Sequence, residues 1–225
     1  MTGIRVPLPA GDVEVSAVFD SPEDPWAAVA VAHGAGSGMD HPFLTGLSAG
    51  LVEAGVAVLR FTFPYREAGR RMPGPAPHAI ATWAAVMADL VVRAPGLPHF
   101  AAGKSYGGRM ASMAAAAATI SPAGLIYLGY PLHPPAQPDK ARTAHLPHVV
   151  APQLFVAGTG DPFIHPLTQL EEAVAACHDA EISWITGGGH SFEIKGAKRP
   201  ADEIGAGLAP LLADWMRGVV QRPAA

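Results

Sequence analysis

Cysteine is nearly absent: one residue, Cys177, in a chain of 225. That excludes an intramolecular disulfide and any cysteine-rich zinc or iron–sulfur site. Charge is also scarce. Charged residues make up 15% of the chain and apolar residues 49%, the opposite of the balance that keeps a chain disordered. There is no excess of basic residues, with 15 Lys and Arg against 19 Asp and Glu and a formal net charge of −4. Nucleic acid is therefore not an expected partner. No apolar run approaches the roughly 18 residues of a bilayer span. Met1 to Gly11 has neither the basic nor the apolar region of a secretory leader. The expectation is a cytoplasmic protein without a membrane partner.

Small residues are abundant. Alanine contributes 43 residues, glycine 25 and proline 23. The glycines and prolines are scattered as punctuation rather than set in a collagen-like period. The length suits one domain spanning residues 1–225. A chain of this size buries roughly 70% or more of its unfolded surface.

Short apolar runs alternate with longer helical patterns. Strands are expected at Ala27–Ala32, Val56–Phe61, His99–Gly103, Leu125–Leu128, Leu154–Ala157 and Ile182–Ile185. Helices are expected at Pro42–Ala54, Ala79–Arg93, Ser105–Thr119, Pro166–Cys177 and Ile204–Val220, with Trp83, Val86, Leu90 and Val91 of the second facing inward. Pro64–Pro77 and Pro131–Pro147 read as loops. Near-continuous apolar strands between helices predict an α/β fold with a mostly parallel sheet covered on both faces. In such sheets ligands bind at the carboxyl ends of the strands.

One motif lies at such an end. Gly103-Lys104-Ser105-Tyr106-Gly107 follows a strand and opens a helix, the context in which G-x-S-x-G forms a nucleophile elbow. Glycines on both sides let the two backbones come close, and the serine hydroxyl is held at a helix N-terminus. A hydroxyl needs a base before it attacks. In this fold the chain order is Ser, acid, His. Asp161, directly after one strand, and His190, in Gly187-Gly188-Gly189-His190 after the last, satisfy that order. The rival reading of Asp161 is a turn residue, since Asp-Pro is a common turn pair. Asp139, Asp179 and Glu193 are less suitably placed. Ten histidines are present, but no spacing among them suggests a metal, and none is expected.

An acyl-transfer site also needs donors for the oxyanion. The Tyr106 N–H follows the nucleophile, and the Ala35 N–H lies in the early loop His33-Gly34-Ala35-Gly36-Ser37-Gly38. The alternative for that loop is a phosphate cradle, but it lacks the G-x-G-x-x-G spacing. His33 is expected to brace the loop. Arg60, Arg66, Arg70 and Arg71 form either an anion subsite or a loop held by ion pairs, with Glu67 as one partner. Lys104 is read as buried and paired with a carboxylate. The Pro131–Pro147 loop carries His133, Lys140 and Arg142 and is long enough to cover one side of a pocket. Gly34, Arg66 and His133 are the candidate substrate contacts.

Taken in order, several strings resemble the α/β-hydrolase superfamily, near its small dienelactone-hydrolase-like members. They are His33-Gly-Ala-Gly-Ser-Gly, Leu59-Arg-Phe-Thr-Phe-Pro-Tyr-Arg, Gly103-Lys-Ser-Tyr-Gly-Gly-Arg, Leu128-Gly-Tyr-Pro-Leu-His-Pro-Pro, Gly158-Thr-Gly-Asp-Pro-Phe and Gly189-His-Ser-Phe. The chain looks most like the family whose eukaryotic relatives include a subunit of the NSL histone-acetyltransferase complex. The resemblance implies a three-layer sandwich without a large lid domain and a Ser105–His190–Asp161 triad. It implies a serine carboxylesterase acting on a small ester without a cofactor, as monomer or homodimer. Thioester or amide cleavage uses the same parts. So does an acyltransferase, and a non-catalytic scaffold keeps the same fold. Dienelactone hydrolases proper use a cysteine where this chain has Ser105, so their substrate does not carry over.

Overall fold

The computed structural model describes residues 2–222. Its strands are β1 (Thr2–Val6), β2 (Val13–Asp20), β3 (Ala27–Ala32), β4 (Val56–Phe61), β5 (His99–Lys104), β6 (Gly124–Leu128), β7 (Gln153–Gly158) and β8 (Ala180–Ile185). They form one sheet in the order β1-β2-β4-β3-β5-β6-β7-β8. Only β2 runs against its neighbours; the pairs from β4 through β8 are all parallel. The helices are α1 (Pro42–Glu53), α2 (Pro64–Glu67), α3 (Ala76–Arg93), α4 (Tyr106–Ala116), α5 (Leu167–Ala175) and α6 (Ala201–Gln221). This is an α/β-hydrolase fold without a lid domain.

Side chains alternate across a strand, so the central strands feed two cores. Ala28, Ala30 and Ala32 of β3 pack with Trp83, Met110 and Leu170 from α3, α4 and α5. Ala27, Val29 and Val31 pack with Phe43, Leu47, Leu212 and Met216 from α1 and α6. Small side chains in β3 and β5 let helices sit close to the middle of the sheet. β3 is apolar throughout and wholly buried because both of its faces are covered.

The first two strands were not expected from the sequence. β2 buries Val15 and Ala17 while Glu14 and Ser16 face outward. That period-two pattern belongs to a half-covered antiparallel strand and is missed by a scan for continuous apolar runs. Val91 was expected to face inward and is 49% exposed; Trp83, Val86 and Leu90 take the buried stripe of α3. The Pro64–Pro77 loop contains the short helix α2. Among the described residues no helix is long and apolar enough to cross a membrane.

α1 and α6 cross with their backbones almost touching. A Cβ built on Gly205 would stand 2.0 Å from the Phe43 carbonyl oxygen, and one on Gly46 2.0 Å from that of Asp202. Neither obstacle is a movable side chain. Gly205→Ala is expected to lower the free energy of urea unfolding by about 1–3 kcal/mol or more through overpacking. Gly218→Ala, on the same helix with nothing within 4 Å, is expected to raise it by up to about 1 kcal/mol through helix propensity. Equal stabilities for the two variants would contradict the close crossing.

Candidate active site

The carboxyl ends of β3, β5, β7 and β8 carry the loops that converge on Ser105. This residue occupies the turn between β5 and α4 with φ 49° and ψ −113°. A residue with a Cβ rarely adopts that left-handed backbone, which costs of order 1–3 kcal/mol unless its surroundings impose it. Here they do. The Ser105 N–H donates to the Leu128 carbonyl at 3.0 Å, and its carbonyl accepts from the Arg109 N–H at 3.1 Å. A Cβ on Gly103 would meet the Gly108 nitrogen at 2.2 Å, and one on Gly107 the Ala32 Cβ at 2.7 Å. Strand and helix approach as only glycine permits.

His190 lies in the turn after β8. Its Nε2 is 2.9 Å from Ser105 Oγ and its Nδ1 is 2.7 Å from Asp161 Oδ2. An ionised carboxylate only accepts, so Nδ1 carries the proton and Nε2 is the acceptor for the serine hydroxyl. Asp161 is fully buried after β7. Its second oxygen accepts from the Phe163 N–H at 2.9 Å, which fixes the plane of the carboxylate. The Phe163 ring lies against the imidazole, with centroids 4.3 Å apart. Phe192, two residues beyond the histidine, also has a positive φ of 65°. Its N–H closes the turn onto the Gly189 carbonyl at 3.0 Å, and its ring stacks on Phe43 at 5.9 Å.

Lys104 Nζ donates to the His190 carbonyl at 2.8 Å. Among the described residues it forms no ion pair with a carboxylate, contrary to expectation; Asp161 and Glu193 act on it only at longer range. Burial pushes its pKa down to about 8, against the opposing pull of those two carboxylates.

The loop after β3 is braced from beneath. His33 Nδ1 lies 2.7 Å from the Gly34 carbonyl oxygen, and its Nε2 accepts from the Phe63 N–H at 3.1 Å. The Tyr65 hydroxyl accepts from the Gly36 N–H at 3.3 Å. Ala35 and Tyr106 face the cavity with Ser105. Neither of their N–H groups finds an acceptor among the described residues.

The cavity over Ser105 has a volume of about 440 Å³ and is lined by Gly34, Phe43, Leu44 and Phe163 as well as by the reacting groups. Two expected substrate contacts lie outside it. His133 is fully buried, with Nδ1 held 2.7 Å from the Pro134 carbonyl oxygen. Arg66 Nη1 donates to the Arg70 carbonyl at 3.2 Å. The arginine cluster read from the sequence is dispersed. Arg60 is buried against Asp20 at 3.2 Å and Asp40 at 3.6 Å. Glu67, expected to pair with the arginine cluster, instead accepts from the Ser16 N–H. Arg142 and His41 do line the cavity. His41 Nδ1 also caps α1 by accepting from the Phe43 N–H at 3.2 Å. Among the described residues no cluster of His, Cys, Asp or Glu side chains could hold a metal ion.

Residues 25–206 match the family model described as Alpha/beta hydrolase domain. A dienelactone hydrolase from Anabaena variabilis ATCC 29413 is similar in structure, with TM-score 0.72, 23% identity and 96% of each chain covered. An α/β serine hydrolase without lid from Xanthomonas campestris superposes with TM-score 0.65 at 18% identity, covering 100% of this chain and 96% of the other. A monoacylglycerol lipase from Paleococcus ferrophilus gives TM-score 0.68 at 16% identity, covering 92% of this chain and 100% of the other. At these identities the likeness is one of fold.

The brace makes a pH prediction. Burial lowers the His33 pKa from 6.5 to about 4, so between those values the unfolded chain binds the extra proton and the folded chain does not. Stability due to this group is therefore complete above pH 6.5 and falls as pH drops toward 4. At about 1.4 kcal/mol per pKa unit the loss is roughly 3 kcal/mol. His33→Gln does not titrate. The difference in urea-unfolding free energy between wild type and variant is expected to shrink by about that amount from pH 6.5 to pH 4. A pH-independent difference would refute the neutral brace.

Proposed function

The chain belongs to the alpha/beta hydrolase domain family, and from that membership we propose that it is a serine hydrolase cleaving small carboxylic esters through an acyl-serine. One observation carries the reading. A continuous hydrogen-bonded line runs from buried Asp161 through His190 to Ser105 Oγ, with links of 2.7 and 2.9 Å, and it ends on the strained elbow.

In this proposal Ser105 Oγ attacks the ester carbonyl carbon as His190 Nε2 takes its proton. Asp161 keeps the imidazole in the required tautomer and stabilises the imidazolium. The carbonyl oxygen becomes an oxyanion held by the free N–H groups of Ala35 and Tyr106, at the positive end of α4. The tetrahedral intermediate collapses, and the alkoxide leaves with the proton from His190. Water, deprotonated by the same histidine, then attacks the acyl-serine; the acyl–Oγ bond breaks, His190 returns the proton to Ser105 Oγ, and the acid is released. The Lys104 bond to the His190 carbonyl and the Phe163 ring hold the histidine in place between the two half-reactions. Every step uses side chains, backbone amides and water.

The cavity volume of about 440 Å³ lies toward the small end of the roughly 300–1,000 Å³ of small-molecule sites. This supports a small substrate, whether the acceptor of the acyl group is water or an alcohol.

A fluorophosphonate probe tests the nucleophile. Wild type is expected to gain one label by intact mass, and Ser105→Ala none. Asp161→Asn is expected to lower kcat on p-nitrophenyl butyrate by about 10³–10⁴-fold, because the amide favours the wrong imidazole tautomer. A folded wild type that takes no label would end the serine-hydrolase reading and favour a scaffold that keeps the fold without turnover.

A further inference from the structure

The wall of the Ser105 cavity carries cations and no carboxylate. Arg142 and Lys104 are among its lining residues; Asp and Glu are not. Lys104 is engaged by the His190 carbonyl, but Arg142 is free. Its backbone is fixed, with the N–H donating to the Leu132 carbonyl at 2.7 Å and the carbonyl accepting from the Tyr130 hydroxyl at 3.1 Å. Its half-buried guanidinium forms no ion pair among the described residues. Arg60 and Arg93, two other arginines set back from the surface, each hold a carboxylate.

A second uncompensated guanidinium stands beside it. Arg109 is on α4, one turn after Tyr106, and is partly buried. Its Nε is shielded from solvent and has no acceptor, and it too has no ion pair among the described residues. Burial above all, and the Arg142 charge in addition, lower the Arg109 pKa, against the pull of the Tyr130 and Tyr106 hydroxyls. His145 is kept neutral nearby, pushed down to about 4 by burial first and by Arg109 next. Two like charges held together where water is partly excluded are unfavourable unless an anion joins them. The described residues supply none from their side chains, and Arg142 borders the cavity that holds Ser105.

We propose that Arg142, reinforced by the neighbouring charge of Arg109, is a carboxylate subsite of the Ser105 cavity, and that the substrates are small carboxylate-bearing esters such as hemi-esters of dicarboxylic acids. This rests on the serine-hydrolase reading and narrows it. A guanidinium offers a planar fork of donors that matches a carboxylate with two parallel hydrogen bonds. The anion anchors one end of the substrate, and the ester carbonyl at the other end reaches Ser105. Hydrolysis then breaks the acyl–oxygen bond, adds water across it and yields the free dicarboxylic acid and the alcohol.

The test compares p-nitrophenyl hydrogen adipate with its neutral isostere, in which an isopropyl group replaces the carboxylate. Wild type is expected to favour the anionic ester by roughly 10–100-fold in kcat/KM, the discrimination that a paired, partly desolvated charge supplies. Arg142→Gln is expected to bring the ratio to within about threefold of unity, and Arg142→Lys to an intermediate value, because a point charge replaces the fork. Lys140→Gln removes an exposed charge from the same loop and is expected to keep the wild-type ratio. Calorimetric titration of Ser105→Ala with methyl hydrogen adipate reads binding without turnover, and adding Arg142→Gln is expected to weaken it at least about tenfold. A wild type that labels with fluorophosphonate but shows no preference, or a preference that survives Arg142→Gln, overturns the subsite and leaves the hydrolase reading intact. Arg142-dependent binding without labelling or turnover does the reverse.

Discussion

The left-handed backbone at Ser105 is the constraint on which the rest of the site depends. It places the residue at the abrupt junction of β5 and α4, where neither element screens the hydroxyl. Such a conformation survives only if the surrounding structure leaves no alternative. The Leu128 carbonyl on β6 and the glycine contacts with β3 and α4 remove the alternatives. The strain at one residue is thus sustained by the packing of three adjacent parallel strands. The same strands carry at their ends the loops of Gly34 and Ala35, of Ser105, and of the Arg142 wall. Close packing of small residues in β3 and β5 and the position of the nucleophile are one feature of the sheet.

The second half of the site is assembled from two loops that are far from Ser105 in sequence. The turns after β7 and β8 lock together, with the Gly160 N–H donating to the Gly188 carbonyl at 2.8 Å and the Gly187 N–H to the Thr159 hydroxyl at 2.8 Å. This pairing sets Asp161 beside His190, with Oδ2 2.7 Å from Nδ1. Lys104, next to the nucleophile, then ties the His190 carbonyl to the β5 end. A lysine buried for that purpose sits at a depressed pKa, a cost the fold carries to keep the histidine in register. On the wall that carries Arg142 the charge is left unpaired, with Arg109 behind it, and that imbalance is the basis of the proposed preference for an anionic substrate.

Much of this was legible in the chain itself. Apolar runs marked β3 to β7 because strands covered on both faces have little outward side to make polar; the edge strand β8, only half-buried, showed itself by the short run Ile182–Ile185. Gly103, Ser105 and Gly107 announced the elbow because the turn is local and only that spacing relieves its clashes. β1 and β2 escaped because one of their faces is partly open and their pattern alternates. His133 and Arg66 were misplaced for a different reason. His133 lies in a loop and Arg66 in a four-residue helix, neither long enough to show a period, so nothing in the neighbouring residues states whether the side chain turns toward the cavity, as Arg142 does, or away from it.

The sequence by itself therefore determined the fold class, the parallel core, the elbow and the order of serine, acid and histidine along the chain. These are set by hydrophobic periodicity and by short-range steric rules that act within a few residues. Only the tertiary structure decided the distances among Ser105, His190 and Asp161, the partners through which His33 braces its loop, and which arginine faces the cavity. Those depend on where separate loops come to rest when the strands pair, and on which charges remain unpaired once every other side chain has found its partner.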